Sequence, residues 1–148
     1  MYKIFSLILK NRILITTLMA WTTAQLIKII IGVIKNKKFD FRWLVGAGGM
    51  PSSHAAGASA LAVSIGREIG WDSVIFALAV AFAIVVMFDA QGVRRATGKQ
   101  ARILNKILDD IYWQGKIQEN RLRELIGHTP IEVLIGMILG IVIALFRH

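Results

Sequence analysis

Four long apolar runs alternate with polar breaks along the 148-residue chain. The first extends from Ile13 to Ile34 and is interrupted by Gln25 and Lys28; the second covers Ser53 to Ile69, the third Ser73 to Phe88 and the fourth Ile131 to Phe146. A bilayer core of about 30 Å takes roughly 20 mainly apolar helical residues, so each run predicts a helix near the length of a membrane span. The second run is distinct because Ala, Gly and Ser dominate it. Small residues let helix backbones approach closely, which predicts that this helix occupies the centre of a bundle. Between the third and fourth runs, Asp89 to His128 is too polar to cross lipid. Within it Ile103, Leu104, Ile107, Leu108, Ile111 and Tyr112 recur at helical spacing, predicting an amphipathic helix that lies in the membrane surface or caps the bundle. The opening MYKIFSLILKNR has a charged start and a short apolar run without a small-residue cleavage site, and is expected to be an interfacial lead-in rather than a cleaved signal. The fold class expected is all-α: one domain over residues 1–148, an integral membrane helical bundle of about four transmembrane helices plus an amphipathic surface helix.

Composition strengthens the membrane reading. The chain is 55% hydrophobic with a mean hydropathy of +0.60, above the level of soluble globular domains. It has no cysteine, so neither a disulfide framework nor a thiolate metal site is available. A net charge of +9 could signal nucleic acid, but no basic stripe is interleaved with aromatics in a soluble module. Anionic membrane lipids are the expected partner, and no nucleic acid is expected. Four spans would put both termini on one side and residues 35–53 and 89–127 on the other. Those two loops hold twelve Lys and Arg residues, against five on the opposite side. The positive-inside rule therefore points the loops at the cytoplasm, as in a bacterial plasma membrane, although Lys3, Lys10 and Arg12 weigh the other way. Close packing of small residues fits a homodimer and intramolecular packing equally.

This topology gathers the chemically capable residues on one membrane face. Ser52, Ser53 and His54 precede the second span, Asp89, Arg94 and Arg95 follow the third, and His128 and Glu132 open the fourth. In GAGGMPSSHA, residues 46 to 55, glycines permit a tight turn, Pro51 fixes the chain near the helix start, and Ser52 or Ser53 can serve as N-cap. Such a start is either a simple interhelical turn or an anion site built on unpaired N–H groups and the helix dipole. In GHTPIEV, residues 127 to 133, Thr129, Pro130 and Glu132 form a capping-box pattern that explains Glu132 without chemistry. His128 and Glu132 are also four apart, so in a helix continuous through His128 they share a face, where the carboxylate can fix one ring nitrogen and leave the other as nucleophile or base. The Arg94–Arg95 pair can bind phosphate in a planar fork or anchor the chain at headgroups, and Lys28 either snorkels or faces the bundle interior. A metal site from His54, His128, Asp89 and Glu132 is chemically allowed, but the surrounding Lys and Arg would repel a dication.

With GGMPSSHAA, FDAQGVRRATGKQ and GHTPIEVLIG in order, the chain resembles the divergent branch of the type 2 phosphatidic acid phosphatase superfamily, related to acid phosphatases and vanadium-dependent haloperoxidases. Pro51, Ser52, Ser53 and His54 match the superfamily's Pro-Ser-Gly-His motif with Ser53 in the glycine slot. His128 and Glu132 match the second half of a later motif with Glu for Asp. The arginine slot of that motif falls on Leu122, between Arg121 and Arg123, which leaves the guanidinium to Arg94 or Arg95 or to another register. For the earliest motif, Lys35 and Arg42 have the spacing, Trp43 stands in place of proline, and Lys28 competes for the role. The resemblance implies a membrane enzyme that removes a phosphate or diphosphate from a lipid, phosphatidic acid or an isoprenyl phosphate, without metal or cofactor. His128 is then the nucleophile held by Glu132, and His54 the acid and base. Ser52, Ser53, Arg94, Arg95 and Lys28 bind phosphate, and Asp89 orients. The alternative is a noncatalytic membrane protein that binds anionic headgroups with a degenerate site.

Overall fold

The computed structural model describes residues 2–37, 49–112 and 128–147, which form six α-helices and, among the described residues, no strand. They are α1 (Tyr2–Lys10), α2 (Arg12–Asn36), α3 (Ser53–Ile69), α4 (Val74–Gln91), α5 (Val93–Tyr112) and α6 (Pro130–Phe146). Short polar residues start four of them. Asn11 accepts from Leu14 N at 3.0 Å, Ser73 from Phe76 N at 3.2 Å, Ser52 from Ala55 N at 3.4 Å and Thr129 from Glu132 N at 3.3 Å, each relieving one orphan donor of the first turn. The four apolar runs are thus helices with ends close to those expected. Asp89, expected just past the third run, instead lies inside the last turn of α4.

The packing is inverted relative to a protein that folds in water. Among the described residues the buried apolar set is twelve alanines with Ile65 and Val133, while Leu26, Ile30, Leu78, Phe82, Val85, Leu134 and Ile138 are exposed. In water this arrangement would leave most of the hydrophobic surface wet. In lipid it is the favourable one, since hydrocarbon solvates the large side chains and small residues let the helices close on one another. Helices α2 and α4 are long and apolar enough to cross a membrane, and α6 is a shorter apolar helix.

Helix α3 stands in the middle, packed against α2, α4 and α6. Gly136, Gly140 and Ala144 form the buried stripe of α6. A Cβ on Gly136 would come within 3.0 Å of the Ser52 carbonyl oxygen, and one on Gly140 within 3.0 Å of the Ala56 carbonyl oxygen. The two helices therefore touch backbone to backbone. Ser59 Oγ crosses the same seam to the Met137 carbonyl at 3.1 Å.

Helix α5 confirms the predicted element, and its orientation was the open question. Gly98, Ala101 and Asn105 are buried, while Ile103, Leu104 and Ile107 are exposed. Ile103, Leu104 and Ile107 thus turn away from the rest of the bundle.

Candidate active site

Three separate segments converge at one end of the bundle: the start of α3, the end of α4 and the start of α6. Two backbone hydrogen bonds sew them together. His128 N donates to the Ala90 carbonyl and Ser52 N to the Glu132 carbonyl, each at 3.0 Å. Beneath them Ala55, Ala90 and Val133 form a small apolar floor, with Met87 packed against it.

On this floor stand two imidazoles. The ring centroids of His54 and His128 are 6.2 Å apart, with planes inclined at 62°. His128 is fully buried and, with Ser52, is the largest fully buried side chain among the described residues; His54 is half-buried. In a core otherwise made of alanine, a wholly enclosed imidazole has to be held by specific polar contacts.

Glu132 provides one. Its Oε2 lies 3.2 Å from His128 Nδ1 and accepts from Thr129 N at 3.0 Å. The capping box is complete, and the same carboxylate oxygen that closes it also meets the His128 ring. An ionised carboxylate only accepts hydrogen bonds, so the proton of the neutral ring resides on Nδ1 and the lone pair on Nε2.

Lys28 reaches the same region from α2. It faces the interior at 8% exposure, and its Nζ donates to Gln25 Oε1 at 3.2 Å. The ammonium interacts electrostatically with Glu132. Gly49, at φ +85°, lies over its aliphatic stem, where a Cβ would stand 3.2 Å from Lys28 Cγ. Only a residue tolerant of the left-handed region passes there without strain.

The remaining expected residues are placed less directly. Ser52 is the N-cap of α3 and Ser53 its first helical residue, both buried, so Ser52 serves the turn that starts the helix. Asp89 precedes the carbonyl that holds His128, and Arg94 and Arg95 occupy the first turn of α5 by backbone position. Arg42, Trp43, Arg121, Leu122 and Arg123 lie outside the described residues, as do residues 38–48 and 113–127 of the two basic loops as a whole. The alternative metal set is not assembled: among the described residues no group of three or more His, Cys, Asp or Glu is close enough to hold an ion. Sequence reasoning missed the Ala90 and Glu132 carbonyls and the glycine stripe of α6. Backbone acceptors carry no residue signature, but the GxxxG spacing of Gly136 and Gly140 was a readable signal.

An alanine-cored helical bundle with large aliphatic side chains on its outside and two histidines brought together at one end defines a helical membrane protein. The chain belongs to the Divergent PAP2 family, which it matches over residues 9–143. It is 40% identical over 149 residues to the uncharacterized membrane protein YuiD of Bacillus subtilis (strain 168), across 93% of this chain and 94% of that one. No solved structure matches it.

Proposed function

We propose that the protein is an integral membrane phosphatase that hydrolyses a phosphate or diphosphate from a lipid through a phosphohistidine. The observation that carries this reading is the buried His128 fixed by Glu132 at 3.2 Å with His54 only 6.2 Å away, ring to ring, from a distant part of the chain.

In the first step the Nε2 lone pair of His128 attacks phosphorus in line as the ester P–O bond breaks. His54, entering as imidazolium, gives its proton to the departing oxygen. In the second step His54 takes a proton from water, the hydroxide oxygen bonds to phosphorus, and the P–N bond breaks to release phosphate. Glu132 stabilises the cationic ring of the intermediate. Lys28, with Arg94 or Arg95 from the first turn of α5 and the N–H groups at the start of α3, offsets charge on the equatorial oxygens, where most of the catalysis of such transfers resides. Four helices, α2, α3, α4 and α6, cross the bilayer in this reading. The excess of basic residues in the loops supports a cytoplasmic position for the histidine end.

The test uses purified protein with phosphatidic acid and with isoprenyl phosphates and diphosphates, with vanadate and with chelator. Expected are phosphate release inhibited by vanadate and not by chelator, loss of release in His54→Ala and His128→Ala, and an acid-labile phosphoenzyme that His128→Ala cannot form. Full activity in His128→Ala removes the nucleophile. Binding of these lipids by a folded protein without any release supports the noncatalytic headgroup-binding reading in its place.

A further inference from the structure

A second polar constellation occupies the opposite end of the bundle, away from the histidines. Arg12 begins α2, Arg67 lies in the last turn of α3 and Arg147 is the C-cap of α6. Together with Thr16, Ser64 and Glu68 they line a cavity of about 260 Å³. Among the described residues, three guanidinium groups thus share the lining with one carboxylate, and that carboxylate is only loosely engaged, with Arg12 Nη1 3.8 Å from Glu68 Oε1. An excess of positive charge at a helix-end cavity calls for an anion.

Arg67 and Arg147 are held in place, while the Arg12 side chain is 68% exposed beside Glu68. Arg67 Nη1 donates to the terminal α6 carbonyls of Ala144, at 2.9 Å, and Leu145, while Arg147 Nη1 donates to Thr16 Oγ1 at 3.1 Å. Each of these anchors uses one nitrogen of a guanidinium that carries five N–H donors, so most of each fork is left for a ligand.

Ser64 gives the independent sign. It is 6% exposed and lines the cavity, yet its Oγ has no hydrogen-bond partner among the described residues. Other hydroxyls in the bundle behave differently: Ser59, Thr16 and Thr17 each donate to the carbonyl four residues earlier, at 2.7, 2.8 and 2.8 Å. A buried hydroxyl that forgoes this bond costs free energy unless something else takes its proton.

We infer that Arg12, Arg67, Arg147 and Ser64 form a phosphate-binding site on the membrane face opposite the histidines. Its ligand is a phosphate group, carried by a lipid headgroup or free in solution. The guanidinium forks accept its oxygens, and Ser64 Oγ donates to one of them. The cavity is slightly smaller than pockets that enclose whole small molecules, about 300–1,000 Å³, which suits a phosphate with its immediate substituents. The site does not depend on hydrolysis at the other end.

The full-length protein is tested by phenylglyoxal modification, with the rate at each arginine read by peptide mass spectrometry. This localises binding to these residues whatever happens at the histidines. One arm adds inorganic phosphate to protein in lipid-free detergent. The other compares nanodiscs of digalactosyldiacylglycerol alone, a lipid without phosphate, with nanodiscs of the same lipid containing phosphatidic acid. At ten times its Kd the ligand leaves roughly one site in ten open, so modification of Arg12 and Arg147 slows about tenfold. Protection by inorganic phosphate identifies a soluble anion site, and protection confined to phosphatidic acid identifies a headgroup site. Ser64→Ala, which removes one oxygen from a position that bonds nothing else, keeps its thermal stability without phosphate and binds about tenfold more weakly. Unchanged modification rates in both arms overturn the proposal, as does undiminished protection in a folded Ser64→Ala protein.

Discussion

Replacing Gly140 by alanine tests whether α3 and α6 meet through their backbones. The added methyl would fall within 3.0 Å of both the Ala56 carbonyl oxygen and Ser59 Oγ, closer than real Cβ atoms approach such neighbours. The carbonyl belongs to a central helix clamped by α2 and α4, so it cannot swing aside as a flexible side chain would. The helices must separate by roughly 1 Å, an overpacking that costs about 1–3 kcal/mol. Displacing Ser59 also weakens its bond to Met137, at about 0.6 kcal/mol for an interhelical hydrogen bond in lipid. Against this, alanine gains up to about 1 kcal/mol of helix propensity over glycine. The net expectation is a loss of about 1–2 kcal/mol. Gly57 supplies the control on the adjoining helix. A Cβ there meets Trp21 Cβ at an ordinary 3.6 Å, so Gly57→Ala keeps the propensity gain and loses nothing to packing. Both variants are compared by far-ultraviolet circular dichroism during unfolding in mixed micelles with increasing dodecyl sulfate. If Gly140→Ala unfolds no earlier than wild type, or if both variants are equally damaging, the backbone-contact argument is refuted.

Four further outcomes follow from the same contacts. Glu132→Gln retains an acceptor for Thr129 N, so the helix start survives within about 0.5 kcal/mol, whereas lipid phosphate hydrolysis drops because a neutral amide supports the imidazolium poorly; melting and turnover measured side by side separate the two effects. Lys28→Met removes a charge from the bundle interior and leaves melting unchanged or raised, while vanadate inhibits at a higher concentration; unaltered inhibition would detach Lys28 from the site. Asn11→Ala loses the cap of α2 and about 1 kcal/mol of stability, read by the same unfolding assay. The chain has no cysteine, so Lys37→Cys and Asp72→Cys give single labelling sites; four spans require them to react from opposite sides of the membrane, and reaction from the same side would exclude that topology.

Much of the fold was readable because its signals are local. The run from Ser53 to Ile69 became α3 residue for residue, since a serine cap and the small-residue composition both act within the segment. Thr129, Pro130 and Glu132 announced the start of α6 in the same way. The facing of α5 was harder to read, because a water-based rule sends large apolar residues inward. Here Ile103, Leu104 and Ile107 face outward, and Ala101 and Gly98 take the protein side. Around the candidate site, the two histidines and Glu132 were legible from motif and spacing. The supports beneath them were not, because the Ala90 carbonyl and the close approach of Gly136 to Ser52 arise only when segments distant in sequence meet. The arginine cluster at the other end was hidden for a like reason: Arg12, Arg67 and Arg147 are scattered along the chain and share no motif.

Glu132 Oε2 both begins a helix and steadies a ring, and this has an evolutionary corollary. Selection for folding alone keeps a capping-box acceptor at this position, as glutamate or glutamine, whatever becomes of the histidines. Its persistence in a relative therefore says little about chemistry, and the side chains at positions 54 and 128 are the better markers of whether the proposed phosphatase site is intact.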